Sequence, residues 1–582
     1  MRILLIPPKN NYHNVMPCYD IVGQGFPYIA GALKTAGHKI FGLNINYEWC
    51  LPTAKEYLKK RVEEAVRIHN PEIICVGGMS PDFYFVQHTI EFIRAISPNI
   101  IIICGGPMVT YDYEFIFSTL NPDYAIIGEG EESIVLLIEQ LKNKESLSSI
   151  PGLIYKLNEK TIVSDLIYAQ VKDLNALTFP EYSIFCIDDY LNDLKQTNHN
   201  YFYTHTNPNP RLMPLNMARG CPFRCTFCCH DYGPKYRSRS IDSVMKEIEY
   251  LYDNFKFNFL FIYDELFAKG SMNGLCDGIM KFKKERNIDF SWTCDFRVPD
   301  VKPEMLNKMK TTGCSFIGFG LESASPRVLK SMNKRVKVEQ IHRAIKLSEE
   351  VKIGVQGNFI FGDPAETPET INETFDFYEK WCADHNIYFG HVTPYPGSQL
   401  FEYCLKNKIV DNRFELYSKL KTFGHRAFNM TQMETNSFHR HVDKLLAIHS
   451  PVDTHKEAKL LSCKMLGVAD KRAPRNLRQH MFSIEVECPH CSSRTNYMAS
   501  LPIREKIAVQ ACSSCHLRFK LPVEHNALLR FLIIFYEETF QVIFTYKKRF
   551  FKLKQRGFVG AYFILRKHML HRLRKLTRTQ LT

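Results

Sequence analysis

Two long stretches of this chain repeat one pattern: a short apolar run ending in Gly or Pro, an amphipathic segment, then another apolar run. In the first 150 residues the runs are RILLIPP, EIICVGGMS, NIIIICGGP and YAIIGEGEE. Between them lie helix-like stretches such as Ala54 to His69, with Leu58, Val62, Ala65 and Ile68 at helical spacing. A strand buried on both faces is apolar throughout, and a parallel return needs a crossover helix. The pattern therefore predicts a doubly wound parallel α/β sheet. Ligands of such sheets sit beyond the carboxyl ends of the strands. Gly77, Gly78, Gly105, Gly106, Gly128, Glu129 and Gly130 fall there.

After a connector rich in Asn, Asp, Thr and Pro, the alternation resumes from Leu215 with NFLFIYDE, SFIGFGLES, GVQGNFIFGDP and YFGHVTPYPGS. Helical segments, Ser240 to Asn254 and Lys337 to Val351 among them, lie between these runs. Strand–helix units of about 30 residues, with polar and glycine-rich features at the strand ends, predict a barrel or part of one. A chain of 582 residues exceeds a single core. The expected divisions are 1–165, a connector at 166–208, the barrel at 209–410, a helical extension at 411–480, a cysteine-rich module at 481–522 and a basic helical tail at 523–582.

With 45% apolar and 23% charged residues the chain is globular in composition, not disordered. Its net charge of +14 is local: residues 547–582 hold 12 Lys or Arg and no acid, leaving 63 basic against 61 acidic residues elsewhere. The 19 cysteines are odd in number and gather in two tight groups. That argues against a disulfide framework and for a reducing cytosol. MRILLIPPKN runs straight into a strand, so no cleavable leader is expected. No run of 18 apolar residues is present. A cytoplasmic enzyme is the expectation.

The first cysteine group reads NMARGCPFRCTFCCH. Cys221, Cys225 and Cys228 form a C-x3-C-x2-C set that one loop can wrap around three corners of a [4Fe-4S] cubane, leaving one iron open. Three ordinary buried cysteines would not be expected directly after a strand and behind Arg219-Gly220, which suit a tight loop. Zinc wants a fourth ligand at paired spacing, and Cys229 or His230 would supply it only through an awkward local fold.

The triplet closely resembles that of the radical S-adenosylmethionine (SAM) superfamily, as does Phe227 before the last cysteine. YDELF (Tyr263 to Phe267), GFGLESAS (Gly318 to Ser325), Met332-Asn333-Lys334, NFIFGDPAET (Asn358 to Thr367) and PYPGS (Pro394 to Ser398) resemble further motifs of one large branch, in order, over residues 210–405. The resemblance implies a partial (β/α)6 barrel. In it the open iron chelates SAM, and one electron splits the sulfonium to methionine and a 5′-deoxyadenosyl radical. A reductase or other electron donor is then a required partner. By motif, Phe227, Asp264, Glu265, Glu322, Ser323, Asn358 and Gly362 are the implied SAM-binding residues. For Glu265, surface charge or helix capping is an equal alternative.

Joined to such a barrel, the amino-terminal sheet resembles the cobalamin (B12)-binding domain of many radical SAM enzymes. AGALKTAGHKI, GGPMVT and GEGEES carry the match. The glycine and glutamate positions given above are then implied corrin contacts, since Gly lets backbone approach a bulky ligand. D-x-H-x-x-G, which supplies an axial histidine in many cobalamin proteins, is absent, which puts axial ligation in doubt. An empty pocket kept for docking is the alternative. With cobalamin, methylation of an unactivated carbon is implied, or a cyclisation or rearrangement.

Cys488, Cys491, Cys512 and Cys515 form two C-x2-C knuckles with 20 residues between them, the spacing of a structural zinc ribbon. A rubredoxin-type iron site or auxiliary cluster competes. His490 and His516 are expected as exposed neighbours. In the tail, aromatic and aliphatic residues interleave with Lys and Arg. That suits a peripheral membrane contact, a nucleic-acid contact or a plain helical cap, with bulky Phe favouring membrane over nucleic acid. Two substrate readings follow: a small or lipid-like metabolite, and an RNA held by ribbon and tail.

Overall fold

The computed structural model describes residues 1–18, 20–193, 209–229, 232–267, 269–420, 426, 428–448, 455–469, 479–501 and 507–523. His230 and all but the first residue of the 523–582 tail lie outside them. Two compact units are formed: Met1–His455 with Ala511–Phe519, and Lys456–Gln510 with the chain from Lys520 onward.

The larger unit opens with a seven-stranded sheet: β1 (Arg2–Ile6), β2 (Lys39–Gly42), β3 (Ile73–Gly77), β4 (Ile101–Gly105), β5 (Tyr124–Ile126), β6 (Leu153–Leu157) and β7 (Lys160–Val163). Their order is β2-β1-β3-β4-β5-β6-β7, parallel through β5, with β6 and β7 antiparallel. Strand order reverses between β1 and β3, the place where doubly wound sheets bind ligands. Helix Ala54–His69 shows why the crossovers form. Thr53 caps it by accepting from the Glu56 N–H, Leu58, Val62, Ala65 and Val66 are buried, and Asn70 ends it at φ 43°. Ile68 is 65% exposed: the buried stripe turns toward Val66, not Ile68.

The second sheet of this unit is built from β8 (Leu212–Leu215) and, beyond a short hairpin of β9 (Ala218–Arg219) with β10 (Arg237–Ser238), from β11 (Phe259–Ile262), β12 (Ser291–Phe296), β13 (Cys314–Glu322), β14 (Gly354–Phe361) and β15 (Asn386–His391). The six strands are parallel and in sequential order, β8-β11-β12-β13-β14-β15, with no pairing between the two edges among the described residues. That is the open barrel the repeat predicts.

The connector is not a bare linker. Val171, Leu174, Tyr182, Phe185 and Tyr190 are buried, and Ala169 bridges Gly128. Its few apolar residues fasten it to both sheets and fuse them into one unit. The expected helical extension at 411–480 also needs correcting. Helices Arg413–Lys419 and Thr435–Ile448 are present, but β16 (Lys459–Val468) is a strand. There Cys463, Met465 and Gly467 alternate with more exposed neighbours, a period of two that no helix can satisfy. In the smaller unit β16 joins β17 (His480–Glu487) and β18 (Arg494–Leu501) in an antiparallel sheet. Finally, β19 (Ile507–Ala511) pairs with β20 (Arg518–Pro522).

Candidate functional site

The three cysteines sit on the loop between β9 and β10. Gly220 starts it at φ +85°, where an added Cβ would stand 2.3 Å from the Lys235 carbonyl oxygen. Thr226 donates its N–H to the Met332 carbonyl at 3.0 Å and accepts from Leu400 N–H at 2.9 Å; Asn333 Nδ2 donates to the Arg224 carbonyl at 2.8 Å. All three thiols are free and partly exposed. Burial, followed by the nearby Cys229 and Cys225 thiols, pushes Cys228 well up; burial also raises Cys221 and Cys225. Thiols so placed stay neutral until a cation draws off their protons, which is the chemistry of a metal donor set.

The loop is bolted to the first sheet by buried ion pairs. Arg219 donates to Glu129 at 2.9 Å and to Glu131 at 2.6 Å, with its guanidinium over the rings of Tyr28 and Tyr232. Arg237 pairs with the same Glu129 carboxylate. The expected corrin contact of Glu129 must be revised: its carboxylate is taken up by the two arginines and the Val171 N–H. One acid thus holds both strands of the hairpin that carries the cysteines.

Asp264, just past β11, accepts through Oδ1 from the Met217 and Ala218 N–H groups at 2.8 and 3.0 Å. Its Oδ2 is buried and has no hydrogen-bond partner among the described residues, and burial pushes the carboxyl up to about 7. An orphaned buried acceptor beside the loop fits a ligand that brings a cation or an N–H. Glu265 accepts from the Tyr232 N–H at 3.3 Å.

These parts meet in a cavity of about 1130 Å³. That is just above the range of about 300–1,000 Å³ usual for a pocket that holds one drug-sized ligand. Gly77, Gly78, Gly105, Gly106, Gly128, Glu129 and Gly130 line it from the first sheet, and Asp264, Glu265, Asp295, Arg297, Lys334 and Asn358 from the barrel. The glycines divide by role. A Cβ on Gly77 would stand 2.2 Å from the Gly105 carbonyl oxygen, and one on Gly128 2.3 Å from that of Ala169. Those two admit neighbouring backbone. At Gly105 a Cβ would meet nothing within 4 Å, so its missing side chain leaves room for a ligand.

Residues 18–138 match the B12 binding domain model and residues 215–378 the radical SAM superfamily model. The chain is a radical SAM enzyme with a B12-binding domain. Among its relatives is an uncharacterized methyltransferase, PH0819, of Pyrococcus horikoshii, 27% identical over 60% of this chain and 72% of the relative. Another is the anaerobic magnesium-protoporphyrin IX monomethyl ester cyclase of Rubrivivax gelatinosus, 26% identical over 72% of both chains. The structure of the radical SAM methyltransferase TsrM from Kitasatospora setae, with cobalamin and [4Fe-4S] cluster bound, shares the fold at TM-score 0.60 and 16% identity, over 78% of this chain and 92% of that one.

Within this radical SAM enzyme the motif residues separate. Asp264, Glu265 and Asn358 reach the cavity; Phe227, Glu322, Ser323 and Gly362 do not line it. Ser323 is buried, with its hydroxyl against Thr374 at 3.2 Å and the Ser325 N–H. Gly362 donates its N–H to Glu366. Glu322 instead pairs with Lys334 at 2.6 Å, and it is Lys334 that faces the cavity, 5.8 Å from the Phe227 ring. In the sequence Lys334 is named within the Met332-Asn333-Lys334 motif and Arg219 beside Gly220, neither with a role of its own; Arg237 and Asp295 are not singled out.

Cys512 and Cys515 lie in the larger unit, between β19 and β20, and Cys488 and Cys491 in the smaller, between β17 and β18. His516 is buried against Phe316 at 5.0 Å between ring centroids, not exposed as expected. No described helix is long and apolar enough to cross a membrane.

Proposed function

We propose that this enzyme methylates an unactivated carbon of a small or lipid-like metabolite, with a corrin in the glycine-lined end of the cavity and SAM at the barrel end. One observation carries the reading: a single cavity is lined both by the strand tips of the B12-binding domain and by the barrel lumen. When bound, cluster and SAM supply a carbon-centred radical, and the corrin supplies the methyl group.

The chain's own residues bind and shield. Cys221, Cys225 and Cys228 would hold the cluster. Asp264, through its unpaired Oδ2, would accept from SAM, with Glu265 and Asn358 beside it. Gly105 would leave a face for the corrin. The ion pairs of Glu129 would keep water from the seam between sheet and cysteine loop. An electron donor must reach the cluster. The paired C-x2-C spacing of Cys488, Cys491, Cys512 and Cys515 suits structural zinc in a tetrahedral sulfur site.

Cyclisation without methyl transfer is the second reading, favoured by the cyclase relative that matches 72% of the chain. The membrane reading rests on the tail and the RNA reading on ribbon and tail; residues 524–582 of the tail lie outside the described residues, and no comparison favours either reading.

Anaerobic reconstitution with iron, sulfide, hydroxocobalamin and [methyl-¹⁴C]SAM tests the proposal. The wild type should release 5′-deoxyadenosine and carry corrin, and Cys225→Ala should release none. Deoxyadenosine at the wild-type rate from Cys225→Ala would refute the cluster assignment. Protein without corrin would refute methylation.

A further inference from the structure

One acid of the cavity is used by nothing described so far. Asp295, near the end of β12, is in register with Gly318 of β13, which is in register with Gln356 of β14. Its carboxylate lies across the bare face of Gly318, where an added Cβ would stand 1.9 Å from Oδ1. The other acids of the cavity hold donors: Asp20 the Cys18 thiol, Asp82 the Met79 N–H, Asp264 two backbone N–H groups, Glu265 the Tyr232 N–H, Glu129 and Glu131 the Arg219 guanidinium. The Asp295 side chain is exposed to the cavity, no described residue donates to it, and desolvation by the surrounding protein pushes its carboxyl up, to about 6. Phe261, Tyr263 and Phe296 line the same cavity, the first two 4.8 Å apart between ring centroids.

A carboxylate that faces an open cavity keeps its water, and a ligand that fills the cavity strips that water away, a cost that stands unless the ligand brings a compensating group. A neutral donor would leave the charge in place. A cation removes it, and aromatic faces nearby add to its attraction. We propose that Asp295 is the anchor for a cationic nitrogen, an ammonium or amidinium, borne by the substrate on an apolar or aromatic body. Gly318 is part of the same device, because any side chain there would drive the carboxylate out of position. The inference rests on the reading of this cavity as the reaction chamber.

Benzamidinium and benzoate serve as probes, titrated into the reconstituted full-length enzyme and followed by ligand-observed NMR. The wild type should bind benzamidinium and not benzoate. Asp295→Asn should weaken benzamidinium at least about tenfold, the range of a hydrogen bond to a charged group. Gly318→Ala, which keeps the acid but displaces it, should weaken it as well. Equal affinity in wild type and both variants, no benzamidinium binding by wild type, or benzoate binding as tightly would overturn the assignment. So would an equal loss of SAM affinity in Asp295→Asn, which would give the carboxylate to SAM. Deoxyadenosine release by the wild type is scored separately: its absence defeats the proposed function, whereas its presence with indifferent benzamidinium binding defeats the Asp295 anchor alone.

Discussion

Replacing Glu129 by Gln should loosen the loop that carries Cys221, Cys225 and Cys228 without unfolding the B12-binding sheet. In the native enzyme the Glu129 side chain is 1% exposed and faces two guanidinium groups, Arg219 at 2% and Arg237 at 8%. Removing one partner of a buried pair leaves an uncompensated charge and costs about 3–5 kcal/mol. Arg219 keeps Glu131 at 2.6 Å, so its loss is partial. Arg237 keeps only the carbonyls of Val171 and Tyr232 among its described partners. The lower end, about 3 kcal/mol, is therefore expected, which speeds local opening roughly 10²-fold at 1.4 kcal/mol per tenfold. Glu131→Gln should cost less, because among the described residues Glu131 pairs with Arg219 alone and Arg219 retains Glu129. Hydrogen exchange by mass spectrometry reads this directly, on peptides covering 217–239 with β3 and β4 peptides as internal controls. Exchange in 217–239 altered less than threefold would refute the clamp. A uniform acceleration that includes β3 and β4 would show global weakening instead and refute the local account.

Burial pushes the Glu366 carboxyl up to about 8, so the fold prefers it protonated, while the unfolded chain titrates it near 4.3. The wild type should lose stability as pH rises from about 4.5 to 8 and no further above; the thermal advantage of Glu366→Gln should grow over that window, and a pH-independent difference would contradict it. Gly77→Ala sets a methyl 2.2 Å from the rigid Gly105 carbonyl oxygen and should lower the thermal midpoint together with hydroxocobalamin binding, measured by absorbance. Cys512→Ser should abolish the bound zinc found by elemental analysis of the wild type, about one ion per chain, while leaving the iron of the cysteine loop.

Both parallel sheets are legible in the sequence because the signals are local: apolar runs of strand length, Gly or Pro at their ends, and helical periods between. The three cysteines of the loop are legible for the same reason, since their spacing is short and the loop is continuous. Ser323 shows where such reading stops. It follows Glu322 in a motif whose residues would alternate toward the barrel lumen. A register shift between Gly320 and Glu322, with Glu322 at φ +63°, breaks the alternation and turns Ser323 toward Thr374. The strand at 459–468 was missed because its alternation is of Leu, Cys, Met and Gly, none of them strong β-formers.

Residues close in sequence determined the kind of chemistry: thiols enough for a cluster, glycines at strand tips, a barrel that opens on its carboxyl ends. Tertiary structure decided how those parts work together. Glu129 and Arg219 lie 90 residues apart, and Glu129 and Arg237 lie 108 apart. Nothing in the strand SWTCDF marks Asp295 as facing a cavity beside a glycine of the next strand. Ion pairing and burial depend on the low-dielectric space made when distant segments pack, and that space has no local signature in a sequence.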